Sequence, residues 1–269
     1  MTMLGMVIGV MAVILMLSIG EAAERYILLQ ISSFGSDTLY IGNGSKEQEG
    51  EPSLFIKESL TVQDVKKIRT FPWVMLLTGV VVQEDDLSGN GYTTPIQVMG
   101  TMPDEVRFSA REVARGRFFD QTSVDRAARE IVLGHEAADK IFGSEDPLNR
   151  QVKISGTTFT VIGVMGIEGT KAFKNVDKQV YLPVTSALDL YHKRYLTRIA
   201  VKTTIPLFEA KRRLEGHLRD RHRLENPSSD LSKDDFHITT QEDAVRSASQ
   251  ITNILQILLV SIAAISLVV

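Results

Sequence analysis

The sequence predicts an α+β domain of mixed sheet carried between two membrane helices. Three observations support this: an apolar run at each end, short β-hairpins in the middle, and helices set among them without the alternation of a parallel β/α repeat. The 269 residues are 43% hydrophobic, enough to bury a core and to exclude a disordered chain. With 33 acidic against 30 basic side chains, the basic surplus of a nucleic-acid footprint is missing. The absence of cysteine excludes disulfide frameworks, thiolate metal sites and cysteine nucleophiles, and leaves the compartment open.

The first run, "MLGMVIGVMAVILMLSIG" from Met3 to Gly20, is uncharged and passes directly into "EAAERYILLQI". It lacks the positive n-region of a signal peptide and reads as a membrane helix, in which Gly5 and Gly9 are expected to let a neighbouring helix approach closely. Tyr26, Ile27, Gln30 and Ile31 then recur at helical spacing up to Gly35, which predicts a stalk projecting beyond the membrane. At the other end, "ITNILQILLVSIAAISLVV" is apolar from Ile254 for about 16 residues, short of the roughly 20 that a span needs. The expectation is a fragment: one membrane helix, an extracytoplasmic domain, and the start of a second helix.

Between the runs, "DTLYI" alternates like a strand and "GNGSKEQEGEPS" is a polar loop. Thr61 and Asp64 form a capping-box pattern that opens a short helix with Val62, Val65 and Ile68 on one stripe, closed by Pro72. "WVMLLTGVVVQEDDLSGNGYTTPIQVMGTM" reads as a hairpin around Asn90-Gly91, its extra polar residues implying a longer loop. "REIVLGHEAADKIFG" is a strand and a helix stopping at Gly143, and "RQVKISGTTFTVIGVM" is a hairpin turning at Ser155-Gly156, with Val152, Ile154, Phe159 and Val161 on one face. Strands follow at "KQVYLPV", "LTRIAVKTT" and "FHITT", with helices from about Thr185 and over "LFEAKRRLEGHLRDRHRL". Thr240 and Asp243 make a second capping-box pattern, opening a helix that runs unbroken into the apolar tail as a second stalk.

Chemical motifs are weak. "HEAAD" offers Asp139 where a zinc-protease helix needs its second histidine, so it reads as a helix start with acidic residues at the positive end. "GIEGTKAF" lacks the order of a phosphate loop. His217 and His222, five apart on a helix crowded with Arg and Lys, are expected on different, solvated faces, and "KRRLEGHLRDRHR" as a wet helix face. No G-x-S-x-G elbow occurs, and neither a metal, a cofactor nor a catalytic residue is assigned.

Taken in order, "TMLGMVIGVMAVILMLSIGEAAE", "QISSFGSDTLYI", "LTVQDVKKI", "GRFFDQTSVDRAAREIVLGHEAADKIFGSEDPLNRQVKISGTTFTVIGVM", "VYLPVTSA" and the apolar tail resemble the MacB-type (FtsX-superfamily) ABC transporter permeases. The resemblance covers nearly the whole chain and rests on the order of its segments, "GRFF", "VLG", "IFG", "EDPLN" and "FTVIGV", rather than on one diagnostic motif. It implies a multi-pass protein of the cytoplasmic (inner) membrane. Its parts would be a membrane helix and stalk at 1–35, a porter-like subdomain at 36–104 and 178–240, an inserted subdomain at 105–177, and a second stalk with the start of membrane helix two at 241–269. It further implies a homodimer or paired permease working with an ABC ATP-binding subunit that holds ATP and Mg, since this chain has no ATPase motif. A membrane fusion protein and an outer-membrane channel are further partners the family allows. ATP-driven closure would pass through the stalks, which makes the surfaces around Ile27, Ile31, Ile251 and Asn253 the expected coupling sites. The competing readings are the outer domain of a membrane sensor, which would continue into a signalling domain, and an anchored hydrolase, which would need a convergent catalytic set.

Overall fold

The computed structural model describes residues 11, 14–15, 18–22, 25, 37–48, 56–171 and 174–268. The chain divides into two compact units, Asp37–Thr239, and Met1–Ser36 with Thr240–Val269.

The larger unit is α+β. It begins with β1 (Thr38–Asn43) and α1 (Val62–Ile68). At the head of α1 the Thr61 hydroxyl accepts the Asp64 N–H at 3.3 Å and the Asp64 carboxylate accepts the Thr61 N–H at 2.7 Å, the reciprocal cap that the sequence pattern predicts. The long strand β2 (Val74–Gly89) then pairs with β3 (Tyr92–Thr101). No longer loop forms between them: the ladder runs to Gly89 opposite Tyr92, leaving Asn90 (φ 48°) and Gly91 (φ 82°) as the two-residue turn. The expectation of a longer loop fails because Ser88 and Thr93 extend the hairpin, their hydroxyls 2.9 Å apart across the strands.

Next come α2 (Glu105–Phe108), β4 (Val113–Gly116), α3 (Gln121–Asp125), β5 (Glu130–Leu133) and α4 (His135–Phe142). The hairpin β6 (Gln151–Ile154) and β7 (Thr157–Met165) turns through Ser155 (φ 45°) and Gly156 (φ 77°), and buries Val152, Ile154, Phe159 and Val161. The two-residue strands β8 (Thr170–Lys171) and β9 (Lys174–Asn175) lead to β10 (Gln179–Pro183), α5 (Val184–Leu190), β11 (Arg198–Thr203), α6 (Leu207–His222) and β12 (Phe236–Thr240).

Among the described residues ten strands form one sheet in the order β12-β1-β11-β2-β3-β10-β5-β7-β4, with β6 bridging β7 and β2. It is mixed: β10 runs parallel to β3 and β5 parallel to β7, whereas β1–β11, β11–β2 and β2–β3 are antiparallel. β2 does two jobs. Its first half, Val74 to Val80, pairs with β11, and its second half, Val81 to Gly89, pairs with β3. Because Leu87 and Ser88 also pair with β6, the strands β2, β3, β10, β5, β7 and β6 close into a ring. α4 packs on β2, β3 and β7 through Ala137, Ala138, Ile141 and Phe142, all buried. Its N-cap Gly134 leaves no room for a side chain, since a Cβ there would lie 2.4 Å from the Asp177 carbonyl oxygen and 2.5 Å from that of Gln179.

α1 and α6 cover the other end of the sheet. α1 buries Val65 and Ile68, and α6 buries Ala210, Leu214 and Leu218, at the spacing that keeps one helix face inward.

In the second unit, α7 (Gln241–Val268) is one unbroken helix of 28 residues. It starts on the residue after β12, and the Thr240–Asp243 box caps it with reciprocal bonds of 3.0 Å. Ile254, Ile257 and Leu258 are exposed on α7. Among the described residues, no helix is long and apolar enough to cross a membrane.

Candidate functional site

A dense cluster of charged side chains surrounds the root of β12, the strand that hands on to α7. The loop before it carries Asp234 and Asp235, which meet the last turn of α6 and the head of α1. Arg219 grips Asp234 through Nε at 2.8 Å and Nη2 at 2.6 Å, and Asn226 adds a bond to the same carboxylate at 2.9 Å. Asp234 is 1% exposed in its side chain, so this forked pair is a buried, geometrically specific contact. Beside it, His222 Nδ1 lies 2.7 Å from Asp235 Oδ1, and His222 Nε2 lies 3.6 Å from Asp64 Oδ2. Arg221 bonds Asp64 as well. Asp64 therefore caps α1 and at the same time anchors the end of α6.

Electrostatics define the state of these groups. The hydrogen bond to Asp235, and after it the direct contact with Asp64, hold the His222 imidazole up at about 9 against the opposing effect of burial. Burial alone would raise the Asp64 carboxyl, but His222, Thr61 and Arg221 outweigh it and keep it well below the usual carboxylate range. The raised pKa favours the imidazolium, hydrogen-bonded to Asp235 on one side and 3.6 Å from the Asp64 carboxylate on the other. The cluster joins α1, the end of α6 and the root of β12 as an ionic clasp.

This corrects the expectation for the two histidines. Both sit in partly buried surroundings rather than on solvated faces. His217 stands edge-on to the Phe71 ring with centroids 4.9 Å apart, and burial lowers its pKa. His222 turns to Asp235 because the α6 C-terminus, which favours cations, ends against two acidic elements. Arg219 and Arg221 are likewise drawn out of the wet face. The signal available in the sequence was the adjacent pair Asp234-Asp235 immediately before a strand, facing a basic last helical turn.

A pH prediction follows from the raised His222 pKa. Its contribution to stability is fully present below pH ~6.5 and is lost as pH rises through about 9, with a magnitude of at most about 3 kcal/mol. Thermal melts of the outer domain from pH 6 to 10 should show this alkaline loss, and His222→Gln should abolish the slope between pH 7 and 9.

The other motifs fall out as solvated or structural. His135 and Asp139 are both exposed, and Glu136 between them takes Asn175, Lys140 and Lys178. In the segment from Gly166, the backbone N–H groups of Glu168 and Gly169 donate to Asp177 at 3.0 and 2.9 Å, so a carboxylate occupies the donors a phosphate would need. Among the described residues no three His, Asp or Glu side chains are placed to hold a metal ion together. Gly5, Gly9, Ile27 and Ile31 lie outside the described residues. Ile251 and Asn253 lie on α7, but their side chains are outside the description.

Comparison with known proteins agrees with the architecture. The crystal structure of the periplasmic region of MacB from Actinobacillus actinomycetemcomitans superposes with a TM-score of 0.68 at 20% identity, covering 83% of this chain and 98% of that one. The extracellular domain of the noncanonic ABC-type transporter YknZ from Gram-positive bacteria gives 0.60 at 18% identity, covering 76% of this chain and 100% of that one. These likenesses concern the fold. In sequence, the chain is 32% identical over its full length to a macrolide export ATP-binding/permease protein MacB of Bdellovibrio bacteriovorus, covering 42% of that protein. It is 28% identical to a pyoverdine export ATP-binding/permease protein PvdT of Pseudomonas aeruginosa, covering all of this chain and 39% of that protein. The chain thus spans about two fifths of the length of the curated relatives it matches. The model of the MacB-like periplasmic core domain matches residues 1–214, most of the sequence, and the chain therefore belongs to that family of ABC transporter permease domains.

Proposed function

We propose that this chain is the extracytoplasmic domain, with its flanking membrane segments, of an ABC exporter permease, and that ATP-driven closure is passed to it mechanically through helical stalks. The observation that carries the reading is the junction at Thr240. An edge strand clasped by two forked or charge-assisted contacts continues, without a loop, into a capped 28-residue helix. Such a helix spans about 42 Å at 1.5 Å per residue, and is stiff enough to carry a displacement. Asp234 and Asp235 then hold β12 to α6, so that a pull on the strand moves the sheet and its helices instead of peeling off one edge.

The relatives are named as ATP-binding/permease proteins, so the partner on this reading is an ABC ATP-binding module carrying ATP and Mg, in a separate subunit or elsewhere in the same protein. The assembly is a pair of permeases in the inner membrane, each crossing it several times, with a membrane fusion protein and outer-membrane channel where the cell has two membranes. The cargo is of the drug, peptide or lipoprotein class. The outer domain works as two lobes. The lobe that the family resemblance implies at 105–177 takes in, on this reading, the second half of β2 with β3 and β10, because these complete its ring.

Cysteine pairs test the proposal. Ile27 with Asn253, and Ile31 with Ile251, should cross-link in the full-length permease to an extent that changes between ATP-bound and nucleotide-free states. If no pair cross-links in any nucleotide state, the stalks are not the coupling path.

A further inference from the structure

Residues 104–112 cross the sheet on the face opposite α1 and α5. Strand alternation shows this. A Cβ on Gly79 would meet Val65 of α1 at 2.8 Å, while the next residue back, Thr78, donates from the other face to Glu105 at 3.1 Å. Likewise Gly100 faces Ala187 of α5, while Thr101 bonds Glu105 at 3.3 Å. The segment begins over the β1-β11-β2 end of the sheet. There Asp104 pairs with Arg69 at 2.8 Å, and the Lys202 ammonium lies 5.2 Å from the Phe108 ring centroid. After Ala110, held at φ 51°, it arrives over the ring. There Arg111 reaches Gln179 at 3.3 Å and the Tyr181 hydroxyl, its Nε lies 2.9 Å from Glu168, and the Glu112 carbonyl accepts the Gly166 N–H at 2.9 Å.

We propose that residues 104–112 are a strap that fixes the angle between the two lobes, with Arg111 as its releasable end. The inference rests on the two-lobe reading above. β2 is the strand common to both lobes, and the chain also crosses between them from β10 through α5 to β11; the strap is a further tie on the opposite face, stitched to a different lobe at each end. The chemistry of the far end suits release. Arg111 and Glu168 are 10% and 16% exposed, yet Arg111 Nε and Glu168 Oε2 form no hydrogen bond despite their closeness. Replacing both partners of such a buried ion pair by apolar side chains is often neutral, so a purely structural tie has no need of it. Glu168 also keeps a second cation, Lys171 at 3.1 Å, and so stays compensated when Arg111 leaves.

The test is a set of spin-label distances in the full-length permease, made simple by the lack of cysteine in these 269 residues. One label pair spans the lobes, at Lys153 of the ring and at Gly216 of α6, where an added Cβ meets nothing. The other pair, Lys153 and Arg129, lies within the ring. R111M is expected to broaden the first distance distribution, leave the second narrow, and keep the thermal midpoint near wild type. If neither distribution changes, the strap proposal is overturned and the lobes stand. If both broaden together, the two-lobe reading itself fails. A fall in thermal midpoint as large as that from breaking a core contact would make Arg111 a structural residue and also overturn the strap. Should R111M not fold, R111K keeps a charge opposite Glu168 without the forked reach to Gln179 and Tyr181, and is judged by the same distances.

Discussion

Asp64→Ala is expected to cost the outer domain about 3–5 kcal/mol, the range found when one partner of a buried charge pair is removed. Asp64 is 1% exposed and serves three partners that no other side chain replaces. Without it the Thr61 N–H loses its capping acceptor, Arg221 loses its carboxylate, and His222 keeps only Asp235. Against a typical domain stability of about 5–15 kcal/mol this is a large fraction, equivalent to a fall of roughly 10–15 °C in melting temperature for a domain of this size. Asp64→Asn separates the two roles. It keeps an oxygen for the cap but not the charge, so it should cost less than alanine and move the alkaline loss tied to His222 to lower pH. A melting shift for Asp64→Ala within 2 °C of wild type would show that α1, α6 and β12 are not held through this residue.

How much of this was legible depended on sequence distance. Both capping boxes, Thr61 with Asp64 and Thr240 with Asp243, were read correctly because each is closed by residues three apart in the chain. The turns at Asn90-Gly91 and Ser155-Gly156 were legible for the same reason: backbone with positive φ selects a short list of residues. The alternation of Val152, Ile154, Phe159 and Val161 showed which side of a hairpin is buried.

The second role of Asp64 was not legible. Its partner Arg221 lies 157 residues away, and nothing local distinguishes an acidic cap that ends at the helix from one that also binds a distant arginine. The ring was hidden likewise, because β6 meets β2 through only Leu87 and Ser88, in a stretch that reads simply as the end of a hairpin. The strap was hidden by shortness. Four-residue elements such as α2 and β4 carry too little periodicity to be seen, and Arg111 looks like any surface arginine until Glu168, Gln179 and Tyr181 are brought beneath it. Local chemistry thus exposed the elements, while the contacts that make them one machine are almost all long-range.

Ser247→Pro is the variant that should separate folding from coupling most sharply. Ser247 is exposed in the second turn of α7, beyond the Thr240–Asp243 cap and outside the unit Asp37–Thr239. Proline there removes the N–H that bonds the Asp243 carbonyl and drives its ring against that same carbonyl, at a cost of about 3 kcal/mol or more within the helix. The outer domain should nevertheless melt as wild type, since its core and the clasp at Asp234 and Asp235 lie before the break. On the proposed reading ATP hydrolysis should persist, because the substitution does not touch an ATP-binding module. What should vanish is the response of the domain to nucleotide, read as the change in distance between spin labels at Gly216 in the paired permeases of the proposed assembly. Ser247→Ala, which keeps a helix-forming residue at the same exposed position, should behave as wild type in all three measurements. If Ser247→Pro retains the full nucleotide-dependent change, α7 is not a rigid transmitter and the domain must be moved by another route. If instead the variant loses the domain fold, the two units are one folding unit and force cannot be assigned to the helix alone.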